Sequence, residues 1–201
     1  MIYRITQVWI RLALKIFIRR ISWSDNSVLK SEGPLLLACN HPNSFLDAII
    51  IGSMFDKPVH YLTRGDAFRN PLARKILQAL KLIPIYRLSE GREYLALNDA
   101  TFDQCKTILS LNGILLIFSE GLCINQWDLR PLKKGTARIA LDAMSAPNIQ
   151  EKFRVLPVSI NYHSFRSLGK RMIVHFGSPI TNAHLPAELS DAERINYFNS
   201  L

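Results

Sequence analysis

The chain has 201 residues, of which 48% are hydrophobic and 20% charged, a balance that excludes a disordered or low-complexity protein and suits one domain with an appendage. Cys39, Cys105 and Cys123 form no C-x-x-C pair and no zinc spacing, so the core needs neither disulfides nor a structural metal, and a reducing compartment is expected. Lys and Arg outnumber Asp and Glu by 25 to 16, a net charge of +9, a surplus that attracts nucleic acid, anionic headgroups or phosphorylated small molecules unless it serves solubility alone.

Much of the surplus lies at the start. Residues 1–20 hold Arg4, Arg11, Lys15, Arg19 and Arg20 and no acid, with Ile2, Ile5, Val8, Trp9, Leu12, Ile16 and Phe17 spaced between them at helical intervals. This predicts a basic amphipathic helix. It is no signal peptide, because Arg11 and Lys15 interrupt any apolar core. It is also too charged to span a bilayer, which takes about 20 mostly apolar residues. Two readings stay open: a helix lying in an anionic membrane interface, or one docked on its own domain. Residues 24–33 are polar and read as a link, giving residues 1–28 as a membrane-associating helix with its linker and 29–201 as the main domain.

Short apolar runs then alternate with helical patterns. Strands are predicted at 34–39, 58–62, 82–86, 113–118, 154–160 and 172–176, and helices at 44–55, 94–111 and 135–144. A further helix starts at Asn70 with Pro71 in its first turn and turns Ala73, Ile76, Leu77 and Leu80 inward. Ser190 and Glu193 form a capping box for a last helix still running at Leu201, which leaves room for the natural chain to continue. This order predicts a single α/β domain with a mostly parallel, mixed sheet flanked by helices and preceded by the amphipathic helix.

In such sheets ligands gather beyond the carboxyl ends of the strands. Four predicted strands end on reactive side chains: His41 after the first, Arg64 after the second, Arg87 after the short one and Glu120 after GILLIF. His41 has Asp47 six positions on. A carboxylate beside an imidazole fixes its tautomer and stabilises the imidazolium, which makes a general base; Ser44 and Asp47 alternatively make a capping box. There is no G-x-S-x-G nucleophile elbow, so the base would act on a substrate hydroxyl or amine. Arg64, Arg87, Arg130, Lys133 and Lys134, the last three near a helix start, suit a phosphate monoester. His60, His163, His175 and His184 have no metal spacing, and Cys39 reads as a buried thiol.

These blocks resemble the glycerolipid acyltransferases typified by 1-acylglycerol-3-phosphate acyltransferase. Asn40, His41 and Asp47 match the family's Asn-His…Asp block, the stretch from Tyr61 to Arg87 its second block, Phe118-Ser119-Glu120-Gly121 its F-P-E-G block, and Leu156-Pro157-Val158 its apolar-proline strand. The resemblance implies a glycerol-3-phosphate acyltransferase-like fold. It also implies an enzyme whose His–Asp pair deprotonates an acceptor hydroxyl for direct attack on acyl-CoA or acyl-carrier protein. Cations of the second block would hold the acceptor phosphate, Glu120 and Gly121 would bind its glycerol portion, and no metal or redox cofactor would be needed. The expected acceptor is 1-acylglycerol-3-phosphate or another lysolipid, such as an amino-acid-derived one. The expected place is peripheral, on the cytoplasmic face of an anionic membrane.

Three departures stand out. Five residues rather than the usual four separate His41 from Asp47, and Pro42 is expected to push the extra one into a bulge. Ser119 and Leu122 replace Pro and Thr, and Cys123 stands where Arg often follows, a loss for which Arg130 is a candidate compensation. Two other classes remain: a catalytically silent membrane module, which predicts His41 and Asp47 apart, and a nucleic-acid binder, which lacks any recognition motif.

Overall fold

In the computed structural model, which describes residues 2–87, 91–186 and 188–201, seven strands form one sheet in the order β1-β7-β6-β2-β5-β3-β4. The strands are β1 (Ile18–Trp23), β2 (Leu35–Cys39), β3 (Val59–Arg64), β4 (Leu82–Ile85), β5 (Ile114–Phe118), β6 (Arg154–Tyr162) and β7 (Lys170–Phe176). All neighbouring pairs are parallel except β6 with β7. The helices are α1 (Ile2–Phe17), α2 (Phe45–Met54), α3 (Pro71–Ala79), α4 (Asn98–Ser110), α5 (Lys134–Met144) and α6 (Asp191–Phe198).

Period-two alternation divides the core in two. Leu35, Leu37 and Cys39 of β2 pack with Ile50, Ile51 and Phe55 on the α1–α2 side. Leu36 packs with Cys105, Leu109, Ala140 and Phe198 on the side of α4, α5 and α6. Helices on both faces explain why β2 and β5 read as continuous apolar runs.

The start of the chain differs from its sequence reading. The helix ends at Phe17, and residues 18–23 pair with β7 as an edge strand instead of continuing helix. The first 28 residues therefore contribute a strand to the sheet across the boundary expected at 28–29. The two readings of α1 also turn out to be compatible. It docks on its own domain through the face that carries Gln7, Ile10 and Leu14, with Leu14 in the core, while flanking cations reach the end of α2: Arg4 donates to the Asp56 carbonyl at 2.7 Å, Gln7 to those of Ser53 and Phe55 at 3.0 and 2.8 Å, and Arg11 Nε to that of Ser53 at 2.6 Å. These are the carbonyls at and just beyond the end of α2, which lack helical partners and carry the negative end of its dipole. The apolar stripe is left outward, with Trp9 69% and Ile16 79% exposed. Among the described residues no helix is long and apolar enough to cross a membrane.

Elsewhere the differences are small. The 94–111 helix begins as a 3-10 turn at Arg92–Leu97 before α4. Asn70 caps α3 by accepting from the Leu72 and Ala73 amides, but Ile76 faces solvent with Leu72 rather than inward. Glu193 accepts from the Ser190 amide at 3.0 Å as the capping box requires, and the last helix ends at Phe198.

Candidate active site

Because β2, β5, β3 and β4 are parallel neighbours, their carboxyl ends share one edge, where Arg64 ends β3 and His41, Glu120 and Arg87 follow β2, β5 and β4. Asn40 extends the ladder beyond β2: its side chain accepts from the Ile160 amide at 2.7 Å and donates to the Ile160 carbonyl at 3.1 Å. The backbone leaving β2 is thereby pinned to β6 one residue before His41.

His41 Nδ1 lies 3.0 Å from Asp47 Oδ2. Asp47 is fully buried, yet its carboxylate is well supplied with donors. The Asn43 amide reaches Oδ2 at 2.8 Å, and the Tyr162 hydroxyl reaches Oδ1 at 2.7 Å. A buried carboxylate holds its charge only when so supplied. Ser44 makes no side-chain cap and adopts φ 49°, a conformation uncommon for a residue with a side chain. The five-residue spacing is thus taken up in the entering loop, and Asp47 turns to the imidazole instead of capping α2. The His41 ring stacks on Phe118 at 3.6 Å between centroids. With one face covered and Nδ1 committed, Nε2 is the ring nitrogen left to act.

His41 lines a cavity of about 1070 Å³. Apolar side chains such as Ile10, Phe45, Ile49 and Ile85 line it together with the cations Arg64, Arg87, Lys133 and Arg138. Arg64 is ion-paired with Asp66, which keeps that carboxyl below its usual range. Gly121, at φ 70°, also lines the cavity, and a Cβ there would sit 3.0 Å from Lys133 Cγ. Lys134 opens α5 exposed and does not line the cavity. Neither do Glu120 and Arg130: their side chains form a largely buried ion pair at 2.9 Å, and Arg130 also donates to the Leu122 carbonyl. In this arrangement Glu120 braces the 121–130 loop and does not present its carboxylate to a ligand.

That loop is tied to the His–Asp unit at three further points. The Ser44 amide meets Cys123 Sγ at 2.8 Å, Asn125 donates to the Pro42 carbonyl at 2.7 Å, and the Trp127 indole N–H donates to the Tyr162 carbonyl at 2.8 Å. Burial pushes the Cys123 thiol up, and the Cys39 thiol still further, where the Asp47 charge adds to it. No group of three or more His, Cys, Asp or Glu capable of holding a metal occurs among the described residues. Sequence reading did not select Tyr162 for the site, and it quoted Phe118 only as the first residue of the F-P-E-G block, with no role of its own. Phe118 had a local signal, since it ends the strand before Glu120; Tyr162 had none.

A family model described as Acyltransferase matches residues 20–161. The chain is 39% identical over 85 residues to glycerol-3-phosphate O-acyltransferase 1 of Saccharomyces cerevisiae, a match covering 40% of this chain and 10% of that much longer protein. Its fold is similar to that of the 1-acyl-sn-glycerophosphate acyltransferase PlsC of Thermotoga maritima, with a TM-score of 0.63 at 13% identity over 98% of this chain and 75% of the other. With the four motif blocks, the matched span and the shared fold in agreement, the chain belongs to the acyltransferase family and, within it, resembles the glycerolipid enzymes.

Proposed function

We propose that the chain moves a fatty acyl group from an acyl thioester, acyl-CoA or acyl-carrier protein, to the hydroxyl of a monoacyl lipid. The acceptor its cations favour is 1-acylglycerol-3-phosphate, giving phosphatidic acid as a step in phospholipid biosynthesis. The observation that carries this reading is the 3.0 Å contact between His41 and Asp47 at the wall of an apolar cavity that also holds Arg64, Arg87 and Lys133. The same contact counts against a catalytically silent membrane module.

His41 Nε2 takes the proton of the acceptor hydroxyl while Asp47 stabilises the imidazolium. The oxygen attacks the thioester carbonyl, the C–S bond breaks, and the departing sulfur recovers the proton from His41. A thioester is already activated, so positioning plus a base supplies most of the acceleration. Arg87 and Lys133 hold the phosphate, the guanidinium fork of Arg87 suited to two of its oxygens, while Arg64, whose fork is paired with Asp66, adds its charge from the cavity wall. The apolar walls take the acyl chains. The outward stripe of α1, with Lys15, Arg19 and Arg20 exposed near its end, seats the enzyme peripherally on an anionic leaflet, on the cytoplasmic side where its donors are made.

The test is purified protein with labelled acyl-CoA and a panel of monoacyl acceptors with and without phosphate. Transfer to 1-acylglycerol-3-phosphate above the phosphate-free acceptors supports the proposal. Preference for an amino-acid-derived lysolipid would keep the chemistry and replace the acceptor. No transfer to any of them overturns it.

A further inference from the structure

Leu122 and Cys123 replace the Thr and Arg of the family block, and the 121–130 loop that follows turns several apolar side chains to solvent. Trp127 is 63% and Leu129 66% exposed, and Leu122 and Ile124 are about half exposed. A loop bound at Ser44, Pro42, Tyr162 and Glu120 holds these side chains outward by its anchors. A cluster of exposed apolar side chains held outward in one loop marks a candidate interaction site.

We infer that this loop is a second membrane-contact element, separate from α1, which inserts Leu122, Ile124, Trp127 and Leu129 into the interface of an anionic bilayer at the cavity mouth. Two observations select lipid as the occupant. Leu122 lines the cavity as well as facing solvent, as does Phe45 at 75% exposure, so what covers the loop also borders the cavity. Arg166 and Arg171 are exposed on the segments that follow β6, whose end the loop grips through Trp127, so the charge around the loop is net positive despite its one exposed acid, Asp128. Trp127 packs on Phe165 at 4.6 Å between centroids and its N–H is satisfied by the Tyr162 carbonyl, so its exposed part is apolar and enters lipid without leaving a hydrogen bond unmade. A lysolipid then reaches His41 from the bilayer without crossing water. The inference rests on the interfacial reading above and deepens it.

The test uses the full chain with Trp9→Phe and Trp23→Phe, leaving Trp127 as the sole indole. It is mixed with phosphatidylcholine–phosphatidylglycerol vesicles carrying brominated acyl chains. Trp127 emission is expected to shift to the blue and fall by at least about half. Ile124→Ser combined with Leu129→Ser is expected to weaken vesicle partition about tenfold, with turnover on a detergent-dispersed acceptor unchanged. Vesicle-bound protein with unquenched Trp127 overturns the inference, as does failure to bind vesicles at all. Because the optical readout needs no turnover, quenching in a protein that transfers no acyl group would sustain the loop assignment and remove only the reaction.

Discussion

The Tyr162 hydroxyl donates to Asp47 at 2.7 Å across 115 positions of sequence, and it is the one side chain holding Asp47 Oδ1 among the hydrogen bonds of the described residues. Tyr162→Phe removes that donor and leaves a buried charge short of a partner, at a cost of about 2 kcal/mol in unfolding free energy. Burial, reinforced by the Asp47 charge, raises the Tyr162 phenol well above its ordinary value. A raised folded-state pKa gives stability that is complete below the unfolded value, about 10, and is lost as pH rises beyond it. Urea titrations should therefore show a constant gap between wild type and Tyr162→Phe from pH 7 to 9 and a shrinking one above 10. A gap that widens with alkali would contradict this environment.

His41→Ala should lower kcat by about 10² to 10⁴ while circular dichroism and vesicle binding stay as in the wild type. Asp47→Asn keeps the shape but loses the charge that stabilises the imidazolium, so it should also depress kcat with little effect on either KM. Undiminished turnover in His41→Ala would refute its role as base.

Arg87→Ala should raise the acceptor KM by at least about tenfold, as loss of a charge-assisted hydrogen bond implies, with the donor KM nearly unchanged. The asymmetry should vanish with an acceptor that carries no phosphate. Equal effects on both substrates would remove Arg87 from the phosphate role.

Arg130→Ala leaves Glu120, 5% exposed, as an unpaired buried carboxylate, which costs about 3 kcal/mol. Adding Glu120→Gln removes the stranded charge and should recover most of that loss. A double-mutant cycle on chemical denaturation reads the coupling directly; additive effects would show that the two side chains do not brace the loop as a pair.

Trp9→Ser with Ile16→Ser should weaken binding to anionic vesicles and change stability by no more than about 0.5 kcal/mol, since both side chains are exposed. Deleting residues 1–20 is a poorer probe. It takes Ile18 to Arg20 out of β1 and strips Arg4, Gln7 and Arg11 from the end of α2. Co-flotation that is unchanged in the double variant would move the α1 anchor elsewhere.

Local chemistry made most of the architecture legible. Buried parallel strands read as apolar runs, Asn70-Pro71 and Ser190-x-x-Glu193 announce helix starts, and parallel order by itself brings the residues after β2, β3, β4 and β5 to one edge. The motif blocks named the acyltransferase family because they record residue types in chain order. Composition and periodicity also marked α1 as basic and amphipathic, but periodicity states only that a helix has two faces. Which face docks depended on the carbonyls exposed at the end of α2, and so on tertiary structure. The same holds for residues distant in sequence. No local pattern links Tyr162 to Asp47, Trp127 to Tyr162 or Arg130 to the sealing of Glu120, since each contact exists only after the sheet and the 121–130 loop have brought separate segments within hydrogen-bond reach.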